Sequence, residues 1–253
     1  MTITASPTNR RFQPEALKPP RCSEALHRER VHRLMQETPW QIHLEIGAGK
    51  GMHALQWAEN NPDKTLIAIE RTAEKYQVFA ERAATQALRN LIPVHADAIP
   101  YLVHYIPPAS VTACFILYPN PEPHNPAQRW VNMPFFEFLL SRLCPLSQIY
   151  LASNIPAYLD EAENRLKEVW QLPYQRYAID ESFLSLSAGH RKWPCDNTHP
   201  GRTHFERKYL LRGEPCGELS ITKPAGHTTH FDNWLPKVTA NPGVTGEQGF
   251  QAF

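Results

Sequence analysis

The chain has 253 residues, 42% of them hydrophobic, and a formal net charge of +1. That length carries one large domain with its own core, or one domain plus extensions. No apolar run approaches the roughly 20 residues of a membrane span, and the near-neutral balance lacks the overall basic signature of a nucleic-acid binder. The N-terminus has no apolar h-region, so no secretory signal is predicted. Five cysteines at 22, 114, 144, 195 and 216, none in C-x-x-C spacing, read as reduced thiols of a cytoplasmic protein.

Residues 1–39 form a basic, partly disordered N-terminal arm in this reading. Residues 1–40 hold seven Lys and Arg (Arg10, Arg11, Lys18, Arg21, Arg28, Arg30, Arg33) against four Glu. Such an arm is either a phosphate-contacting segment or a solvated terminus. Within it, 22–37 has Leu26, Val31 and Leu34 at helical spacing, with Ser23 as N-cap. From residue 40 strand and helix signals alternate. "QIHLEIG", "TLIAIE", "LIPVHAD", "VTACFILYPN" and "SQIYLASN" read as strands; "MHALQWAEN", "TAEKYQVFAERAATQALRN", "MPFFEFLLSRLC" and "IPAYLDEAENRLKEVW" read as helices. "YQRYAID" and "THFERKYLLRG" read as a closing antiparallel pair. The expected fold is α/β: a Rossmann-like, mostly parallel sheet with an antiparallel edge and helices on both faces, spanning 40–213. Residues 214–253 mix Gly, Pro and Thr and read as a loosely structured tail, with Phe231 and Trp234 as its candidate docking points.

The first strand runs into Gly47-Ala48-Gly49-Lys50-Gly51. A P-loop requires Ser or Thr after its lysine, and a dinucleotide fingerprint requires Gly where Met52 stands. The remaining pattern, E-x-G-x-G-x-G, lets the backbone pass close to a ligand at the carboxyl edge of a sheet without implying phosphate. Glu70, ending the second strand, is placed to accept from a ribose diol. Asp97, after the third, is placed to hold an adenine amino group or a nearby loop. Glu45 can face an amino group or a sulfonium. Arg71 and Ala98, their chain neighbours, complete the set. A phosphate-free nucleoside with a positive sulfur meets these needs, which points to S-adenosylmethionine.

The substrate would meet that edge at "YPNPEPH" (118–124), where prolines stiffen the loop and Asn120 presents a short polar group, and at Ser153-Asn154. In "GRTHFERKYLLRG", strand periodicity puts Thr203, Phe205 and Arg207 on one face and His204, Glu206 and Lys208 on the other, unless a turn at Thr203 brings Thr203 and Glu206 together. The twelve histidines lack Cys or acids at ligand spacing, so no metal is expected.

In order and spacing, "LEIGAGKG", "AIE", "DA", "YPNPEPHNPAQRW", "SN" and "GRTHFER" resemble the bacterial tRNA (guanine-N7)-methyltransferase family, whose marks are LEIG.G.G, GIE, DA, FPDPWPK.RH.KRR, TD and R.T.FE. The resemblance runs from about residue 40 to 213. It implies a methyl donor site at Glu45, Gly47, Gly49, Gly51, Glu70, Arg71, Asp97 and Ala98. It also implies a guanine pocket of Asn120, Asn154, Thr203 and Glu206, with His124 and Arg129 on the RNA side. Asn120, Asn154 and Glu206 would be the catalytic set. The chain departs from the family at Asn120 (Asp), Glu122 (Trp), His124 (Lys) and Ser153-Asn154 (Thr-Asp), and its basic run shrinks to "NPAQRW". On this resemblance Glu206 is the one acid left at the guanine. tRNA is therefore the first expected substrate. A paralogue acting on a small heterocycle is the second, and a non-catalytic donor-binding module the third.

Overall fold

The computed structural model describes residues 11–20, 42–179 and 201–235. The helix expected over 22–37, Cys22, Cys195 and most of the basic arm lie outside them. Strands β1 (Ile42–Ile46), β2 (Thr65–Glu70), β3 (Leu91–His95), β4 (Val111–Leu117), β5 (Leu143–Ser153), β6 (Tyr174–Ala178) and β7 (Gly217–Thr222) form one sheet in the order β3-β2-β1-β4-β5-β7-β6. β7 alone runs against the direction of the other six strands. The helices are α1 (Met52–Asn60), α2 (Ala73–Thr85), α3 (Ala98–Tyr105), α4 (Phe135–Arg142), α5 (Pro156–Arg165) and α6 (His204–Leu211).

The strands read as unbroken apolar runs because helices cover both faces; every residue of β2 is buried. Two apolar clusters result, one including Ile42, Tyr101 and Phe138, the other including Trp57, Phe79 and Phe115. At the end of α1, Asn90 Nδ2 donates to the carbonyls of Ala58, Asn61 and Lys64 at 2.9, 2.9 and 3.0 Å. This one amide ties the last turn of α1 to the turn that leads into β2.

Three expectations are corrected. Residues 204–211 are helix α6, not a strand, and Thr203 is its N-cap: Thr203 Oγ1 accepts from Glu206 N–H at 2.9 Å, the first half of a capping box. The strand that pairs with β6 is β7, so the region after 213 is not all loose tail. Leu219 and Ile221 point into the core between β5 and β6. Residues 11–17 are also ordered. Phe12 packs edge-on to Phe135 at 5.3 Å and to Phe231 at 5.9 Å, and His104 Nε2 donates to the Leu17 carbonyl at 2.9 Å. Phe231 is buried in the core, and buried Arg142 donates to the carbonyls of Phe231 and Trp234 at 2.8 and 3.0 Å. Burial pushes the Arg142 guanidinium down to about 9, against the opposing pull of Asp232.

Candidate active site

The carboxyl ends of β1 to β5 share one edge, and the glycine loop opens it. After β1, Gly47 takes φ +82°, and the N–H groups of Gly47 and Ala48 both donate to the Ile69 carbonyl, at 2.8 and 2.9 Å. Gly49 N–H donates to Glu70 Oε2 at 2.8 Å, and Thr72 N–H donates to Glu70 Oε1 at 2.7 Å. Glu70 thus ties the loop to the β2–α2 turn. A Cβ built on Gly47 or Gly49 meets nothing within 4 Å, whereas one on Gly51 falls 2.0 Å from Phe79 Cδ2. The first two glycines therefore front open space, and the third lets α1 start against a buried ring.

The other donor-side residues divide. Asp97 is exposed and caps α3 through Ile99 N–H at 2.9 Å; Ala98 is the buried first residue of that helix. Arg71 is exposed, and its carbonyl accepts from His95 Nε2 at 3.2 Å. Glu45 differs from expectation. Its side chain is 3% exposed, and its Oε2 lies 2.8 Å from Nδ1 of buried His53 on α1, so this carboxylate is already enclosed and partnered. Nothing in the spacing of Glu45 and His53 announced that contact.

On the substrate side, Glu206 is fully buried and both its oxygens are engaged. Oε1 accepts from Arg202 N–H at 2.8 Å and Arg202 Nε at 3.0 Å; Oε2 accepts from Arg202 Nη2 at 2.7 Å and the Tyr118 hydroxyl at 2.8 Å. Arg202 Nη1 also donates to buried Glu218 Oε2 at 2.6 Å. Burial alone would raise the Glu206 carboxyl, but the Arg202 guanidinium outweighs it and holds the group below its usual range. Tyr118 is pushed far up, first by burial and then by the charge of Glu206, so its hydroxyl remains a donor. Glu206 is therefore the anchor of a buried ion cluster rather than the open acid expected against guanine. Thr203 is likewise committed to capping α6.

Asn120 is exposed, and its Nδ2 donates to Glu122 Oε1 at 2.8 Å. Asn154 Nδ2 donates to Glu214 Oε2 at 3.0 Å. His124 is exposed. Arg129 is drawn inward: Nε donates to the Pro121 carbonyl at 2.9 Å, Nη1 pairs with Glu161, and the guanidinium lies over the Tyr158 ring. Beside Asn154, Ser153, Pro156, Tyr177, Pro215 and Cys216 line a recess of about 320 Å³. Sequence reasoning missed Tyr118, Arg202, Glu214 and Glu218. Arg202 precedes the cap of α6 and folds back onto Glu206 in its first turn, a contact that the strand assignment hid. Among the described residues no group of three or more His, Cys, Asp or Glu could hold a metal, and no helix is long and apolar enough to cross a membrane.

A sheet of this strand order, with a glycine loop facing open space at the end of β1, defines a Rossmann-like class I methyltransferase. Residues 40–185 match the model of a family described as "Putative methyltransferase". A tRNA (guanine-N(7)-)-methyltransferase of Myxococcus xanthus is 28% identical over 75% of this chain and 92% of its own length; one from a Ruegeria species is 30% identical over 72% and 67%. A solved 30S ribosomal A1408 methyltransferase from an uncultured bacterium shares the fold, with a TM-score of 0.53, 15% identity and coverage of 79% of this chain and 95% of that one. The chain belongs to this methyltransferase family, in which these curated relatives carry the name tRNA (guanine-N(7)-)-methyltransferase.

Proposed function

We propose that this methyltransferase takes its methyl group from S-adenosylmethionine and delivers it to N7 of a guanine in tRNA, an activity that would place it in the cytoplasm. The observation that carries the donor assignment is the open space at Gly47 and Gly49 beside a carboxylate, Glu70, whose two oxygens accept one backbone N–H each. A carboxylate offers about four acceptor sites, so Glu70 retains capacity for a ribose diol. Asp97 and Ala98 at the start of α3, with Arg71, would border the adenosine. The bound donor supplies an electrophilic methyl on a sulfonium. The acceptor side needs no base, because guanine N7 carries a free lone pair. The chain's task is to hold that nitrogen in line with the methyl at near-attack distance.

The curated relatives' names support the acceptor. Arg11 and Lys18, with the remaining arm residues, would contribute phosphate contacts, and exposed His124 would flank the RNA. The test is incubation of the purified protein with methyl-labelled S-adenosylmethionine and unmodified bulk tRNA, followed by nucleoside analysis. Labelled 7-methylguanosine is the expected product. Donor binding with unlabelled tRNA would overturn the acceptor and favour a small heterocyclic substrate.

Glu70→Ala is expected to weaken S-adenosylmethionine binding by roughly 10- to 100-fold in calorimetry, because it removes acceptors for the diol and unties the loop in one step. Asp97→Ala should weaken it less. Wild-type affinity in both variants would refute the donor site.

A further inference from the structure

The substitution of amides for the family's acids at 120 and 154 leaves an electrostatic gap. Guanine alkylated at N7 gains positive charge, and carboxylates accepting from its N1–H and N2–H edge bind that state more strongly than neutral guanine. An amide oxygen accepts such a bond but brings no charge. Glu206 does not fill the gap, because it is fully buried and both its oxygens are engaged by Arg202 and Tyr118.

Neither amide stands alone. Asn120, three residues beyond β4, holds Glu122 Oε1 at 2.8 Å; Asn154, directly after β5, holds Glu214 Oε2 at 3.0 Å. Both glutamates are half-buried. Each amide fixes one carboxylate oxygen; the other oxygen of Glu214 sits in a long ion pair with exposed Arg212 that a ligand would displace. Among the described residues, the nearest cation to Glu214 Oε1 is the exposed Arg212 guanidinium at 3.7 Å. Glu122 holds φ +45°, a left-handed conformation that a non-glycine residue adopts at a cost, and it stands in the slot of the family's tryptophan. Ser153 and Pro215, the chain neighbours of Asn154 and Glu214, line the recess of about 320 Å³.

The geometry points to Glu122 and Glu214 as the carboxylates that grip the guanine edge, each aimed by the amide that replaced the family's acid. The negative charge has moved from each strand-end position to a glutamate hydrogen-bonded to it, two residues further along the same loop at Glu122 and on the separate connection between α6 and β7 at Glu214. This assignment rests on the guanine-N7 reading above.

The test uses the full chain, labelled S-adenosylmethionine and unmodified tRNA. Glu122→Gln and Glu214→Gln are each expected to lower kcat/KM for tRNA by about 10- to 100-fold while donor affinity and Tm stay at the wild-type values. Restoring the acid at its strand-end position, with Asn120→Asp in Glu122→Gln and Asn154→Asp in Glu214→Gln, should recover most of the loss; a merely structural role would show no such rescue. An active wild type with both glutamine variants equally active overturns the assignment alone. A wild type that binds donor and leaves tRNA unlabelled overturns the guanine reading, and the assignment with it.

Discussion

Gly51→Ala is expected to lower the stability of the protein by roughly 2–5 kcal/mol, with a fall in Tm on the order of 10 °C. Two effects add. The residue sits at φ +78°, where a Cβ crowds its own carbonyl at a cost of about 1–2 kcal/mol. The added methyl would also fall 2.0 Å from Cδ2 of Phe79, a ring with 0% exposure in a packed cluster. Such a ring has no low-cost way to move, and overpacking typically costs about 1–3 kcal/mol. Phe79→Leu in the Gly51→Ala background should recover part of the steric share and none of the backbone share. Gly47→Ala provides the contrast. Its φ of +82° carries the same backbone cost, but its Cβ meets nothing within 4 Å. Stability should fall by only about 1–2 kcal/mol, while binding of the methyl donor should be lost if the donor fills the proposed site, because the added methyl would project into that open space. Thermal unfolding and calorimetry on the two variants separate these roles. A wild-type Tm for Gly51→Ala, or wild-type donor affinity for Gly47→Ala, would contradict the assignment of the loop.

That loop was legible in the sequence because its chemistry is local. Left-handed backbone at 47, 49 and 51 calls for glycine, the apolar run ahead of it reads as a strand buried on both faces, and the acid at 70 falls at the end of the next such run. The substrate side was less legible because its chemistry is non-local. Glu206 lost its open position through Arg202, four residues earlier and just ahead of the cap of α6, and through Tyr118, directly after β4. Arg202 is in turn held by Glu218 from β7. That strand was hidden because six residues between Gly and Pro look like tail. Its pattern becomes plain once Leu219 and Ile221 face the core and Glu218 and Ser220 face the other way. The helix at 204–211 was missed for a related reason: Glu206 is its one buried residue, so hardly any apolar stripe marks it. Its Thr203-x-x-Glu206 start is a capping-box pattern, and only the strand assignment concealed that.

Arg202→Ala should have an effect of similar size, with an opposite pH signature. The guanidinium is enclosed with Glu206 and Glu218, all three at 2% exposure or less, and deleting it strands two carboxylates in the interior. Breaking a buried pair from one side costs about 3–5 kcal/mol, far more than the pair is worth against an apolar replacement of both partners. In the wild type, the carboxyl of Glu206 is held below its unfolded value. Its contribution is therefore present above the unfolded pKa and is lost as the pH falls through the lower folded one. Without Arg202, burial is opposed only by the Tyr118 hydrogen bond and raises the same carboxyl. The variant is then favoured below the unfolded pKa and loses that contribution as the pH rises through the folded one. The stability gap between wild type and Arg202→Ala should accordingly narrow on acidification from pH about 8 to about 5. Chemical denaturation at several pH values measures it. A gap independent of pH would mean that Glu206 does not draw its charge from Arg202. Glu206→Gln supplies the second check: it keeps the shape and removes the charge, so in the Arg202→Ala background it should remove the Glu206 share of the pH dependence and restore part of the lost stability.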